Sequence, residues 1–216
     1  MNEVIAIDGP SCSGKGTVAK LVAESLNFYH LESGLIYRNI AASLYDSLGQ
    51  ESEIIDLAID AFQSLDLNSI CLIENGKMRK HKNAYTSFNA QLTSKISQFQ
   101  SIRNEVLNFQ RALLNKTSIV AEGRDMASIV FPNAKLKVYL DCPPEIRAQR
   151  RYKQLKLLEK DVSLAQVLDD ILNRDERDTK RLNAPLVITK ESKVFDTSKL
   201  SVEETVSGII SAFASN

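Results

Sequence analysis

The chain has 216 residues, enough for one substantial core and too few for two full domains. Its 44% hydrophobic and 25% charged content is that of an ordinary globular protein, and 27 lysines and arginines balance 27 aspartates and glutamates. That balance argues against a nucleic-acid partner or a membrane surface, and no apolar run approaches membrane-spanning length.

The first predicted element is a short buried strand over Val4–Asp8. It runs straight into Gly9-Pro10-Ser11-Cys12-Ser13-Gly14-Lys15-Gly16-Thr17, which has the spacing of a phosphate-binding loop. The glycines let backbone N–H groups approach a polyphosphate, and Lys15 is placed to neutralise its β/γ oxygens. A helix beginning there aims the positive end of its dipole at the same anion. Val18, Leu21, Val22 and Leu26 supply the helical spacing. Gly16 stands where a hydroxyl residue is usual, and the hydroxyl follows at Thr17.

Four more apolar runs follow, Phe28–Leu31, Ser118–Ala121, Leu136–Leu140 and Lys193–Phe195, spaced widely enough for helices between them. The rhythm predicts an α/β fold with a parallel sheet flanked by helices. Such sheets hold ligands at the carboxyl ends of their strands. The segments of interest are therefore Gly9–Thr17, Glu32–Arg38, Glu122–Asp125, Asp141–Pro144 and Asp196–Ser198. Between Ala41 and Lys116 the rhythm breaks. Ile70–Arg79 reads as a hairpin turning at Asn75-Gly76, and Leu92, Ile96, Phe99, Val106 and Leu113 mark a helical stretch. This region reads as an inserted lobe that continues into a core helix.

After Asp141-Cys142-Pro143-Pro144 comes a basic cluster, Arg147, Arg150 and Arg151. It is either a solvated helix face or an arginine lid over phosphates. From Ser163 to Arg181 a helical stripe begins as Leu164, Val167, Leu168 and Ile171 and continues as Arg174, Asp178 and Arg181. Inward charges are costly in a dry core, so this face either borders a polar cleft with a counter-charge or belongs to a helix that bends into solvent. Cys12, Cys71 and Cys142 are scattered and suit reduced thiols in the cytoplasm. His30 and His81, the only histidines, argue against zinc or Ser-His catalysis.

Taken together, these motifs resemble the bacterial cytidylate kinases, a branch of the P-loop nucleoside monophosphate kinases. The segments that carry the resemblance are the Gly14-Lys15-Gly16-Thr17 loop ending, Leu31–Arg38, Ala121–Pro132, Arg174–Arg181 and Ala184-Pro185-Leu186. The resemblance implies a P-loop kinase fold with a five-stranded parallel sheet, in one domain spanning 1–216. Its core would be 1–38, 98–146 and 162–216, with an inserted monophosphate-binding lobe over about 39–97 and a short lid over about 147–161. It also implies transfer of the γ-phosphoryl of ATP to CMP or dCMP by a monomer. ATP would sit on Gly9–Thr17 with Arg147 against adenine, and Mg²⁺ would be held by Thr17 and, through water, by Glu122.

For the acceptor, the resemblance places Arg38, Arg124 and Arg181 around the phosphate. Ser33, Ser94, Arg103 and Asp125 would face the pyrimidine, with Tyr37 also lining the site and Arg174 and Asp178 near the ribose. Arg151 would span the transferring phosphoryl group, so that Lys15, Arg124, Arg151 and Arg181 carry catalysis. Cys12 and Ala127 stand where the family often has glycine, and Ala84-Tyr85-Thr86 replaces its usual Ile-Arg-Thr. Two other readings are a kinase for another monophosphate or small metabolite and a P-loop switch. The chain has no Asn/Thr-Lys-x-Asp guanine reader to support the switch.

Overall fold

All five residues of β1 (Val4–Asp8) are buried, as are all five of β5 (Ile119–Gly123). A strand without polar alternation needs cover on both faces, and these two lie side by side in the interior of a parallel sheet. The computed structural model describes residues 2–48, 73–74, 77–78, 80–82, 84–157 and 162–216. The chain divides into two compact units, Met1–Glu32 with Leu113–Asn216, and Ser33–Ala112.

The first unit contains the five-stranded sheet. With β2 (Tyr29–Glu32), β6 (Leu136–Asp141) and β7 (Lys193–Asp196), the strand order is β2-β5-β1-β6-β7, every pairing parallel. Each of the five predicted apolar runs is one of these strands. α1 (Lys15–Leu26) and α7 (Val202–Ala214) pack on the sheet through Val18, Val22 and Ile209 against Ile5, Val138 and Leu140. Phe28 meets Phe213 edge-on, with ring centroids 5.7 Å apart. α1 ends at Asn27, whose left-handed backbone (φ 54°) stops the helix, and α7 starts from a Ser201/Glu204 capping box.

α5 (Pro144–Lys156) and α6 (Leu164–Lys180) form an antiparallel pair with Ala148, Leu155, Val167 and Ile171 in their seam. Ser163 caps α6 by accepting from the Gln166 N–H, and Arg181 is its C-cap. The helix therefore has the extent the stripe predicts, although Leu164 is exposed. Residues 158–161 of the expected lid lie outside the described residues.

In the second unit, α2 (Ser33–Leu48) is followed by a hairpin of β3 (Ile73–Glu74) and β4 (Lys77–Met78). The hairpin is where it is expected, while its Asn75-Gly76 turn lies outside the described residues. The predicted helical stretch is two helices, α3 (Ser87–Ile96) and α4 (Gln100–Leu114). The break comes where the Ser97, Gln98 and Phe99 N–H groups fold back onto the carbonyls of Thr93, Lys95 and Ile96.

Candidate active site

At the carboxyl end of β1 the chain turns through Gly9 at φ 152°, where a Cβ would collide with the Leu140 carbonyl. Gly14 (φ 94°) is the left-handed residue from which α1 begins. Cys12 also has left-handed backbone at φ 60°. Lys15 is buried, and its Nζ donates to the Pro10 carbonyl (2.7 Å) and the Ser13 hydroxyl (3.5 Å). Burial, aided by the field of Arg124 and opposed by that of Glu122, lowers its pKa to about 7.

Glu122 leaves β5 with its Oε1 3.4 Å from where a Cβ on residue 16 would stand. Glu122 thus lies against the first turn of α1, at ordinary contact distance from a side chain at position 16. Thr17, one residue on, is exposed.

The polar half of α6 turns inward at Asp178, the buried centre of an ion-pair cluster. Arg124 Nε lies 2.8 Å and Arg174 Nε 3.7 Å from its Oδ2. Burial presses the Asp178 pKa upward, but Arg124 and Arg174 overcome it and hold the carboxylate ionised. Asp178 on this face is therefore buried and meets a counter-charge instead of lying in solvent. Arg181 donates through Nε to the Ala184 carbonyl, and the Leu186 N–H returns to the Asp178 carbonyl (2.7 Å). Ala184-Pro185-Leu186 thereby closes the helix end.

Asp125 is buried, directly after Arg124 and just past the end of β5, and the turn that follows it is held by Asp8, to which the sequence assigns no role. The two oxygens of Asp8 accept the N–H groups of Met126 (2.9 Å) and Ala127 (2.8 Å), fixing the π-helical turn Met126–Val130. Burial, despite these two bonds, raises the Asp8 pKa to about 6. A carboxylate closing an otherwise apolar strand was the available signal.

Arg147 is buried. Its Nε donates to Cys142 O (2.7 Å), its Nη2 pairs with Asp175 (2.6 Å) and its Nη1 reaches Ser11 O (3.3 Å). Arg150, one helical turn along α5, is bound to Thr197, whereas Arg151 is partly exposed and makes no ion pair among the described residues.

In the second unit, Ser33 accepts from Gln110 (2.8 Å), and Tyr37 is half-buried on the same helix. Arg38 donates to the Ala84 carbonyl (2.8 Å), and Asn89 holds the Arg38 and Ala84 carbonyls together. Tyr85 gathers two cations. The Arg38 guanidinium lies 5.1 Å and Lys80 Nζ 5.3 Å from its ring centroid. Ser94 and Arg103 are both buried and converge on the Ser97 turn, where Ser97 donates to Ser94 O and Arg103 to Ser97 O. The tyrosine with its two cations had no local signature.

A family model described as cytidylate kinase matches residues 5–215 of the chain. The chain is 37% identical to a cytidylate kinase of Thermodesulfovibrio yellowstonii, covering 99% of both. It is 38% identical to one of Methylococcus capsulatus, covering 99% of the chain and 97% of the relative. Among solved structures it shares its fold with an uncharacterized protein from Eubacterium ventriosum (TM-score 0.55, 17% identity, all of both chains). TT1252 from Thermus thermophilus is also similar (TM-score 0.50, 16% identity, 99% of this chain and 97% of that one).

Proposed function

The chain belongs to the cytidylate kinase family, and from that premise we propose how its residues move the γ-phosphoryl group of ATP to CMP or dCMP, giving ADP and CDP or dCDP. The observation that carries the reading is a buried lysine inside a glycine-bounded loop at the end of β1, with Lys15 Nζ on the Pro10 carbonyl and a buried Arg124–Asp178–Arg174 cluster at the end of β5. Arg124 and Arg174 share the Asp178 carboxylate, and the buried Lys15 ammonium is held by the neutral Pro10 carbonyl and Ser13 hydroxyl, so a polyphosphate would supply balancing negative charge.

The acceptor is a phosphate and needs no general base. The obstacle is bringing two polyanions into line, which positioned cations offset. Lys15 and the backbone N–H groups of Gly9–Thr17 hold the donor phosphates, with Arg147 beside the adenine. Arg38, Arg124 and Arg181 take the acceptor phosphate, and Arg151 spans the group in flight. Ser33, Tyr37, Ser94, Arg103 and Asp125 read the pyrimidine, and Arg174 with Asp178 holds the ribose. The buried Glu122 carboxylate beside Gly16, with the Thr17 hydroxyl, offers hard oxygen donors that suit Mg²⁺. Bound there, the ion would neutralise phosphate charge.

Purified protein supplied with ATP and each common nucleoside monophosphate tests the reading. CMP and dCMP are expected to be the preferred acceptors, and equal or better turnover of a purine monophosphate would overturn it. Base reading is tested separately with Asp125→Ala. Facing an acceptor with UMP's carbonyl in place of cytosine's amino group typically costs about 1–3 kcal/mol. Asp125→Ala is therefore expected to lower kcat/KM for CMP far more than for UMP, while Arg181→Ala lowers both alike. Parallel losses in the Asp125 variant would show that this carboxylate does not read the base.

A further inference from the structure

Arg150 has no part in the reaction as set out above, yet its side chain is engaged at the phosphate loop. Its Nη2 donates to the Thr197 carbonyl (2.7 Å) and its Nη1 to the Thr197 hydroxyl (3.2 Å). The buried Thr197 hydroxyl lies 2.8 Å from the Ser13 carbonyl and 3.2 Å from that of Asp141. A hydroxyl has one proton, and an arginine can only donate. Nη1 must therefore occupy an oxygen lone pair, which leaves the proton for a carbonyl, and the nearer is that of Ser13. The order is fixed: Arg150 to Thr197 to Ser13.

What this fixes is the peptide between Ser13 and Gly14. A trans peptide is planar, with its C=O and N–H pointing in opposite directions. Holding the Ser13 carbonyl on Thr197 turns the Gly14 N–H to the other side of the loop. Gly14, at φ 94°, has no Cβ to resist rotation of that peptide, so the restraint has to come from elsewhere. A rotated peptide would present a carbonyl oxygen to a phosphate. The Pro10 and Ser11 carbonyls are held in the same way, by Lys15 and Arg147.

We propose that Arg150 and Thr197 are positioning residues for the phosphoryl donor, a relay that keeps the Gly14 N–H turned toward the phosphates of ATP. This rests on the reading of Gly9–Thr17 as the ATP loop. Neither residue touches the substrate in this account.

Thr197→Val keeps the side-chain shape and removes the relay, Thr197→Ser keeps the hydroxyl, and Arg150→Gln removes the charged clamp. Loss of one hydrogen bond to a charged group predicts a KM for ATP raised about tenfold in Thr197→Val, with the KM for CMP within about twofold of wild type. Thr197→Ser should stay within about twofold for ATP, and adding Arg150→Gln to Thr197→Val should add little, because the two act in series. An unchanged ATP KM in Thr197→Val, a parallel rise for ATP and CMP, or failure of serine to rescue would overturn the relay. Should Thr197→Val not fold, Arg150→Gln decides by the same contrast between ATP and CMP. Lys15→Ala separates the two levels. If it retains transfer, the loop reading itself falls, whereas an inactive Lys15→Ala beside an indifferent Thr197→Val overturns only the relay.

Discussion

Burial lowers the pKa of the Lys15 ammonium, and that has a measurable consequence. With a pKa lowered to about 7, it is only partly protonated in the free protein at neutral pH and above. A bound triphosphate favours the charged form and raises that pKa. Nucleotide binding near pH 8 is therefore expected to take up a substantial fraction of a proton, most of one if the pKa rises by about two units or more. Calorimetry in buffers of different ionisation enthalpy would show the uptake, and Lys15→Arg, charged throughout, should abolish it. Buffer-independent heats in the wild type would contradict the prediction. The loop that places Lys15 was legible because its spacing is local. The left-handed backbone of Cys12 was not, since cysteine carries no signal for it. Tyr85 was legible only as a departure, because the cations it gathers come from two other segments.

At the scale of elements, two buried carboxylates tie neighbouring pieces together and respond to pH with opposite signs. Asp8 joins β1 to the turn at Met126–Val130, and its pKa in the fold, about 6, lies above its ordinary value. Its contribution to stability is thus fully present below about pH 4 and is lost as pH rises through about 6, a change of about 3 kcal/mol. Asp178 joins β5 to α6, and its pKa is depressed, so its contribution is present above about pH 4 and is lost as acid is added. Denaturant unfolding between pH 4 and 7 should show Asp8→Asn losing the first dependence. Asp178→Ala should cost about 3 kcal/mol at neutral pH by removing the buried carboxylate that Arg124 and Arg174 share. A wild-type slope in Asp8→Asn would refute the assignment. The stripe of α6 was legible because side chains four apart share a face. The Asp8 link was not, because it joins residues 118 positions apart through the register of β1 with β5.

For the whole molecule, the five strands were legible as apolar runs, but their order was not, since no run names its neighbour. ATP at about a hundred times its Kd is expected to stabilise the protein by about 2.7 kcal/mol, and Lys15→Ala should forfeit most of that in a thermal-shift titration. An equal shift in the variant would place ATP elsewhere. The sheet order also bears on how the protein is made. β1 lies between β5 and β6, so the first strand has no neighbour until Ile119 has been synthesised. At ribosomal speeds of about 5–20 residues per second, β1 waits roughly 5–20 s as an unpaired apolar segment within reach of chaperones. A nascent chain arrested before Ile119 would carry every residue of the ATP loop and have no sheet to hold it.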